Sequence, residues 1–427
     1  MPGSGMIAVM DEPGNVPAFD LRITIAGTDP EIWRRLLLPE SVTIPELHEA
    51  IQKAFGWQDY HLYGIRTVDR KGQPRVIVGT EEAADELGAE AAAGVVLSEL
   101  IDPSAAGTSK LEYEYDFGDS WIHEIEQLGP AEIPQGSIQC VDGAMRGPVE
   151  DSGGIGGYAD LVSKLGDPEY RDHDGAAEWL EGMTGEPASD FDPAAFSLEA
   201  INTQLAQLAR RLWPGPVSAE DIHTVLRPVQ WFLDEASPAG LELTKDGYLK
   251  PAIVKAAMTA LGWDEDWPGT ARQEIHARPV LALREQLQEW KLLRKFKGRL
   301  VLTPSGRRVG KDPQALWDYV ADRLANPEAA AVKLATRLAV HWLVEGLALS
   351  YDKRQRLLQE ALNRAGFRMP GGGDVPLDAA SDVDFGVRSS LRSLELTDTR
   401  WQQGPEVTDA GLKFLLDVQR RLADGGA

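Results

Sequence analysis

The sequence is sparing in the features that most often announce a function. Cys140 is its single cysteine, which excludes an intramolecular disulfide and any zinc site built on several thiolates. Such thiol usage predicts a reducing, cytoplasmic setting. No apolar run approaches the ~20 residues that cross a bilayer, so no membrane association is expected. Met1 to Pro17 have neither the basic nor the apolar segment of an export signal. Basic charge is scarce as well, and unevenly so. Residues 1–239 hold 15 Lys and Arg against 42 Asp and Glu (−27), whereas residues 240–427 hold 28 against 25 (+3), giving −24 in all. The N-terminal half should therefore repel nucleic acid through its long-range field, and the C-terminal half need not.

What is present is enough apolar material for a folded protein. A chain of 427 residues with 43% hydrophobic residues and 12 Trp predicts two or three domains with sizeable cores. Residues 1–16 read as a flexible N-terminus, 17–212 as an α+β domain and 217–427 as a mainly helical region, with the boundary at Trp213-Pro214-Gly215-Pro216. Phe19, Leu21, Ile23 and Ile25 alternate as on a half-buried strand, and Ile32 to Leu38 form a second. Thr43, Pro45 and Glu46 open a helix over 44–55 whose stripe is Leu47, Ala50, Ile51 and Ala54, and Gly56 ends it. A strand from His61 follows. Strand, turn, strand, helix and strand make a β-grasp-like start to a mixed sheet with packed helices. Residues 80–107 read as a mobile or short-helical insertion, 109–128 as a return to the sheet, and 129–158 as loop. Further helices are expected near 158–165, 175–184 and 198–212.

Three C-terminal segments resemble one another: Leu241 to Gly247, Leu300 to Gly306 and Pro405 to Gly411. In each, a short extended run meets a Thr that can cap a helix, with Gly three residues on. Two tandem winged-helix-like modules, 217–312 and 313–423, would account for that; so would a plain helical bundle. Lys291, Arg294, Lys295, Lys297, Arg299, Arg307, Arg308 and Lys311 fall in a stretch without an acidic residue. Read as a basic helix with a stripe of Leu292, Leu293 and Phe296, followed by a wing carrying Arg307 and Arg308, they form a candidate nucleic-acid surface. The other reading is a solvated face, or one that docks on the acidic half of the same chain.

The densest chemistry lies at Tyr115-Asp116-Phe117-Gly118-Asp119-Ser120-Trp121-Ile122-His123. Asp116, Asp119 and His123, with His61, Glu150 and Asp151, are ligand or proton-transfer types suited to a divalent metal or to acid/base work. The competing reading is a hairpin corner in which Gly118 supplies the special backbone angle, the Asp side chains make Asx turns, and Trp121 and His123 face the core. That reading is the simpler one. Asp116-Phe117-Gly118 lacks the other elements of a kinase. The glycine run 153–157 has no Lys-Ser/Thr after it, so it is no P-loop, and it reads as tight structural loop rather than helix interior. Cys140, His173 and His341 read as structural or incidental.

Six ordered motifs carry a family resemblance: Ile32-Trp33-Arg34-Arg35, Leu47-His48-Glu49-Ala50-Ile51, Gly56-Trp57 with His61-Leu62, the stretch 115–123, Cys140-Val141-Asp142-Gly143, and Pro148 to Tyr158. Over about residues 17–200 the chain resembles the plasmid pRiA4b ORF-3-like family, whose members include passenger proteins of bacterial insertion elements. The resemblance implies an α+β fold and a mobile-element or accessory role, with no established activity or cofactor. Members often carry cysteines where Gly147 and Ser152 stand here, so a thiolate site is not expected. The resulting expectation is a protein- or nucleic-acid-binding module rather than an enzyme. The alternative is a metal-dependent, hydrolase-like enzyme using the Asp/His cluster.

Overall fold

The structure, a computed structural model, describes residues 14–68, 72–107, 110–237, 239–264, 273–347, 349–397 and 406–424. Residues 1–13 of the expected flexible terminus and Pro405 of the third Thr-Gly segment lie outside these. After Trp213 the chain divides into two compact units. The first contains strands β1 (Asn15–Ile25) and β2 (Trp33–Pro39), helix α1 (Ile44–Phe55), β3 (Tyr63–Val68), β4 (Pro74–Val78), α2 (Glu81–Leu87) and β5 (Glu90–Ala91). It continues with β6 (Lys110–Tyr115), β7 (Trp121–Pro134), β8 (Gln139–Ala144), α3 (Gly154–Gly166), α4 (His173–Thr184) and α5 (Leu198–Leu212). The fold is α+β. Asn15 and Val16, expected in the flexible terminus, instead begin β1 and pair with Pro134 and Ile133.

Eight strands form one mixed sheet in the order β5-β4-β3-β6-β7-β1-β2-β8, parallel only between β4 and β5. The β1–β2 hairpin and the helix after it follow the expected start. β3 then joins the sheet with two strands, β6 and β7, between it and β1. Thr43 and Glu46 cap α1 reciprocally, and Gly56 closes it in the left-handed region (φ 82°). The short-helical reading of 80–107 holds in α2 (Glu81–Leu87), but the segment is packed on the sheet edge, because Ala92, Val95, Leu97, Leu100 and Ile101 are all buried there. The Ala/Glu-rich composition hid this apolar spacing. Of the adjacent Arg34 and Arg35, the second pairs outward with Asp20, while the first turns inward between the rings of Phe55 and Phe196. Arg34 donates to the carbonyls of Ala54, Trp33 and Ala144, joining the end of α1 to β8; burial lowers its pKa to about 10.

The second unit contains α6 (Ala219–Ala236), β9 (Leu241–Glu242), α7 (Pro251–Ala260), α8 (Arg278–Glu289), β10 (Leu293–Phe296), β11 (Arg299–Leu302), α9 (Pro304–Val309) and α10 (Pro313–Ala325). Then come α11 (Ala330–Val344), α12 (Tyr351–Arg364), α13 (Leu377–Arg392) and α14 (Asp409–Asp424). One continuous apolar core runs from Ile222 to Leu422, so residues on both sides of 312 share it. Thr303 and Thr408 take equivalent places: each backbone N–H bonds the carbonyl of an earlier strand-like residue (Leu292, Leu396), and each hydroxyl accepts from Gly306 or Gly411. A Cβ on Gly306 would lie 2.3 Å from the Leu292 oxygen, and one on Gly411 2.2 Å from that of Leu396, so both sites demand glycine. The Thr244 segment differs, because Gly247 closes a turn onto the Thr244 carbonyl and caps no helix.

The expected basic helix at 291–296 is absent. α8 stops at Glu289, Lys291 adopts φ 59°, and residues 293–296 are the first strand of a hairpin. Lys297 and Gly298, with φ of 47° and 75°, form its two-residue turn, a left-handed pair that matches strand twist. Leu292-Leu293-Arg294-Lys295-Phe296 suits helical or alternating burial equally, and the Lys-Gly turn decides for the strand. Arg307 and Arg308 sit on α9, not on the hairpin.

Candidate functional site

The β6–β7 corner, the loop before β3 and the loop before α3 meet at one place in the first unit. Asp116 leaves β6 at φ 57°, and its Oδ1 accepts the N–H of Gly118, a bond that stabilises a left-handed aspartate. The special backbone angle therefore falls on Asp116, not on Gly118 as the sequence suggested. From the loop before β3, His61 places Nε2 3.7 Å from Asp116 Oδ2 and 3.2 Å from Asp151 Oδ1. One ligand atom from each of these three residues lies within 4.8 Å of the others, the one such group among the described residues. His61 Nε2 is shut off from solvent, yet makes no hydrogen bond of acceptable geometry among the described residues.

The other three candidates are not ligands in this arrangement. Asp119 Oδ2 accepts the N–H of Gly153 at 2.9 Å and so ties the corner to the glycine run. Glu150 is buried, with one oxygen accepting from the Tyr115 hydroxyl at 2.5 Å and the other from the Gln58 N–H at 2.9 Å. His123 is fully buried on the opposite, core side of β7, edge-on to Phe55, Trp57 and Tyr113. Burial lowers its pKa to about 3, so it stays neutral. The sequence pointed to six residues, and three converge.

The sequence did not single out Tyr115, which holds the loops together. Its hydroxyl accepts from the Tyr60 N–H and donates to Glu150, and its ring stacks on Trp57, whose indole N–H bonds the Pro148 carbonyl. Burial, then the Glu150 carboxylate, raises the pKa of Tyr115, keeping it a donor. The glycine run is not loop throughout, since Gly154 to Gly157 form the first turn of α3. A Cβ on Gly157 would lie 1.9 Å from the Ser152 oxygen, so the close approach expected of these glycines occurs inside a helix.

The basic residues of the second unit separate into two groups. Arg299 is tied to Glu242 and to the Ala239 and Gly240 carbonyls, and Lys291 meets Glu328 at the surface. Arg294, Lys295, Lys297, Arg307, Arg308 and Lys311 are exposed, with no ion pair among the described residues. No described helix is long and apolar enough to cross a membrane.

Residues 17–200 match the family model of plasmid pRiA4b ORF-3-like protein, and residues 222–315 match that of the Y4jL N-terminal domain. The uncharacterised protein y4hQ of Sinorhizobium fredii is 31% identical over 193 residues, which are 45% of this chain and 92% of that protein. A crystallised protein of unknown function from Methanosarcina mazei Go1 is 29% identical and has a TM-score of 0.38, covering 43% of this chain and 96% of its own.

Proposed function

The chain belongs to the plasmid pRiA4b ORF-3-like family through residues 17–200, and from the geometry of its β6–β7 corner we propose that it is a divalent-cation-binding protein. One observation carries the reading: His61 Nε2 is buried 3.2 Å from Asp151 Oδ1 without a hydrogen bond, facing a second carboxylate. A buried nitrogen left so is costly unless something else takes its lone pair. Ligand atoms on a tetrahedral ion with ~2.0–2.2 Å bonds stand about 3.4 Å apart. The separations of 3.2 and 3.7 Å straddle that value. One imidazole and two carboxylates suit Mn, Fe or Zn. Such an ion would supply Lewis acidity at coordination positions the protein leaves open. Glu150, with both oxygens engaged, is not available as a base beside it. This supports binding ahead of hydrolysis, with the ion joining three segments of the fold.

Stripping with chelator and adding Zn²⁺ or Mn²⁺ at ~100 times the dissociation constant should stabilise the first unit by about 2.7 kcal/mol. For a unit of its size that raises the thermal midpoint by about 5–10 °C. Asp151→Asn, at an exposed position, should abolish the shift and the bound ion measured by elemental analysis. Asp119→Asn, which keeps an acceptor for Gly153, should retain both. Equal metal content in wild type and Asp151→Asn would end the proposal.

A further inference from the structure

We infer that the β10–β11 hairpin is a sequence-independent contact for single-stranded nucleic acid, with its cations on phosphates and Phe296 against a base. β10 is an edge strand of the β10-β11-β9 sheet. On its solvent side Arg294 and Phe296 stand two residues apart, opposite Val301 and Arg299. Phe296 is 47% exposed at the tip of the hairpin. The Arg294 guanidinium lies 5.0 Å from its ring centroid and the Lys297 ammonium 5.3 Å. An exposed aromatic between two cations offers both interactions that bind unpaired strands, since every base has a face to stack and every link a phosphate.

The local charge is segregated rather than general. From Pro214 onward the chain carries 29 Lys and Arg against 29 Asp and Glu, yet residues 291–311 contain eight basic residues and no acidic one. Duplex readout by a helix is disfavoured by α8 itself. Its exposed positions include Glu285 and Glu289, and Gln286 accepts a hydrogen bond from Ser390 of α13, so the helix is already packed on a neighbour. The hairpin is left as the accessible element, and its exposed cations can meet the phosphates of any sequence. This inference uses the second unit alone and does not depend on the cation site.

The test is fluorescence anisotropy of the full chain with a labelled oligo(dT) of about 20 nucleotides and a duplex of equal length, at ~50 mM salt. The single strand should bind more tightly than the duplex. Phe296→Ala should weaken it about fivefold or more, from the ~1–3 kcal/mol of a stacked base, while Phe296→Trp should retain it. Replacing Arg294, Lys295 and Lys297 together with Ala should remove a salt slope of about −2, from ~0.7 per phosphate contact. Thermal melts would confirm that the exposed substitutions leave folding intact. Absence of binding, duplex binding as tight as single-strand binding, or an unchanged affinity of Phe296→Ala would each overturn the inference.

Discussion

Acidification from pH ~7 to ~4 should cost the first unit about 3 kcal/mol through His123 alone. In the fold the ring is fully buried and edge-on to Phe55, Trp57 and Tyr113, which lowers its pKa to about 3. Its Nδ1 lies 3.0 Å from the Trp121 carbonyl, and among the described residues its Nε2 has no hydrogen-bond partner of acceptable geometry for a second proton. In the unfolded chain the same ring titrates near ~6.5. As the pH falls, the unfolded state therefore takes up the proton first. Stability is complete above ~6.5 and is lost progressively down to about 3, where the folded ring also protonates. Carboxylates contribute to acid sensitivity in part of the same window, so the informative quantity is a difference between proteins. Urea midpoints measured across this range should fall steeply for wild type. His123→Phe should show a slope shallower by up to one proton, whatever its absolute stability. Identical slopes would mean that His123 is hydrated or charged in the fold.

His123 also shows how far a linear motif can be read. The stretch 115–123 announced a hairpin corner because alternating residues flank a turn of Asp, Gly and Ser, and the corner is there. Which side each residue would face followed from strand period alone, so Trp121 and His123 fell to the core as expected. The partners of Asp116 did not follow, because His61 and Asp151 reach it from loops 55 and 35 residues away in sequence. No periodicity constrains such loops. Their approach depends on the Tyr115–Glu150 bond and on Gly157 fitting under Ser152, and neither leaves a pattern in the chain. The helix α1 was legible to the residue because its signals are local: a capping Thr, a Pro in the first turn and a terminal Gly. The packing of residues 92–101 and the hairpin at 293–302 were not. Burial there is set by long-range contacts, and in the second case by one Lys-Gly turn.

The same limit applies to the other large expected effect, a loss of about 3–5 kcal/mol from the second unit in Glu274→Ala. Glu274 precedes α8 by only a few residues and reads as surface charge, yet its side chain is 0% exposed and that of Arg284 is 4% exposed. Glu274 Oε1 accepts from Arg284 Nε at 2.8 Å, and Oε2 accepts from the Leu249 N–H at 2.6 Å. One carboxylate thus neutralises a buried guanidinium and satisfies the backbone beside α7. Truncation strands the Leu249 N–H and leaves the buried guanidinium only Glu285 at 3.6 Å and Gln288 at 3.2 Å, and this lost compensation of charge is the larger part of the cost. The pair itself need not be strongly stabilising, since two desolvated charges repay little more than they lose. Replacing both with Met should therefore restore most of what Glu274→Ala removes, and a double-mutant cycle in urea would measure the recovery. If the double replacement is as unstable as the single one, the pair acts by orienting α8 through geometry that no apolar substitute provides. If Glu274→Ala costs less than ~1 kcal/mol, water reaches Arg284 and the pair is a surface one in energy, whatever its burial.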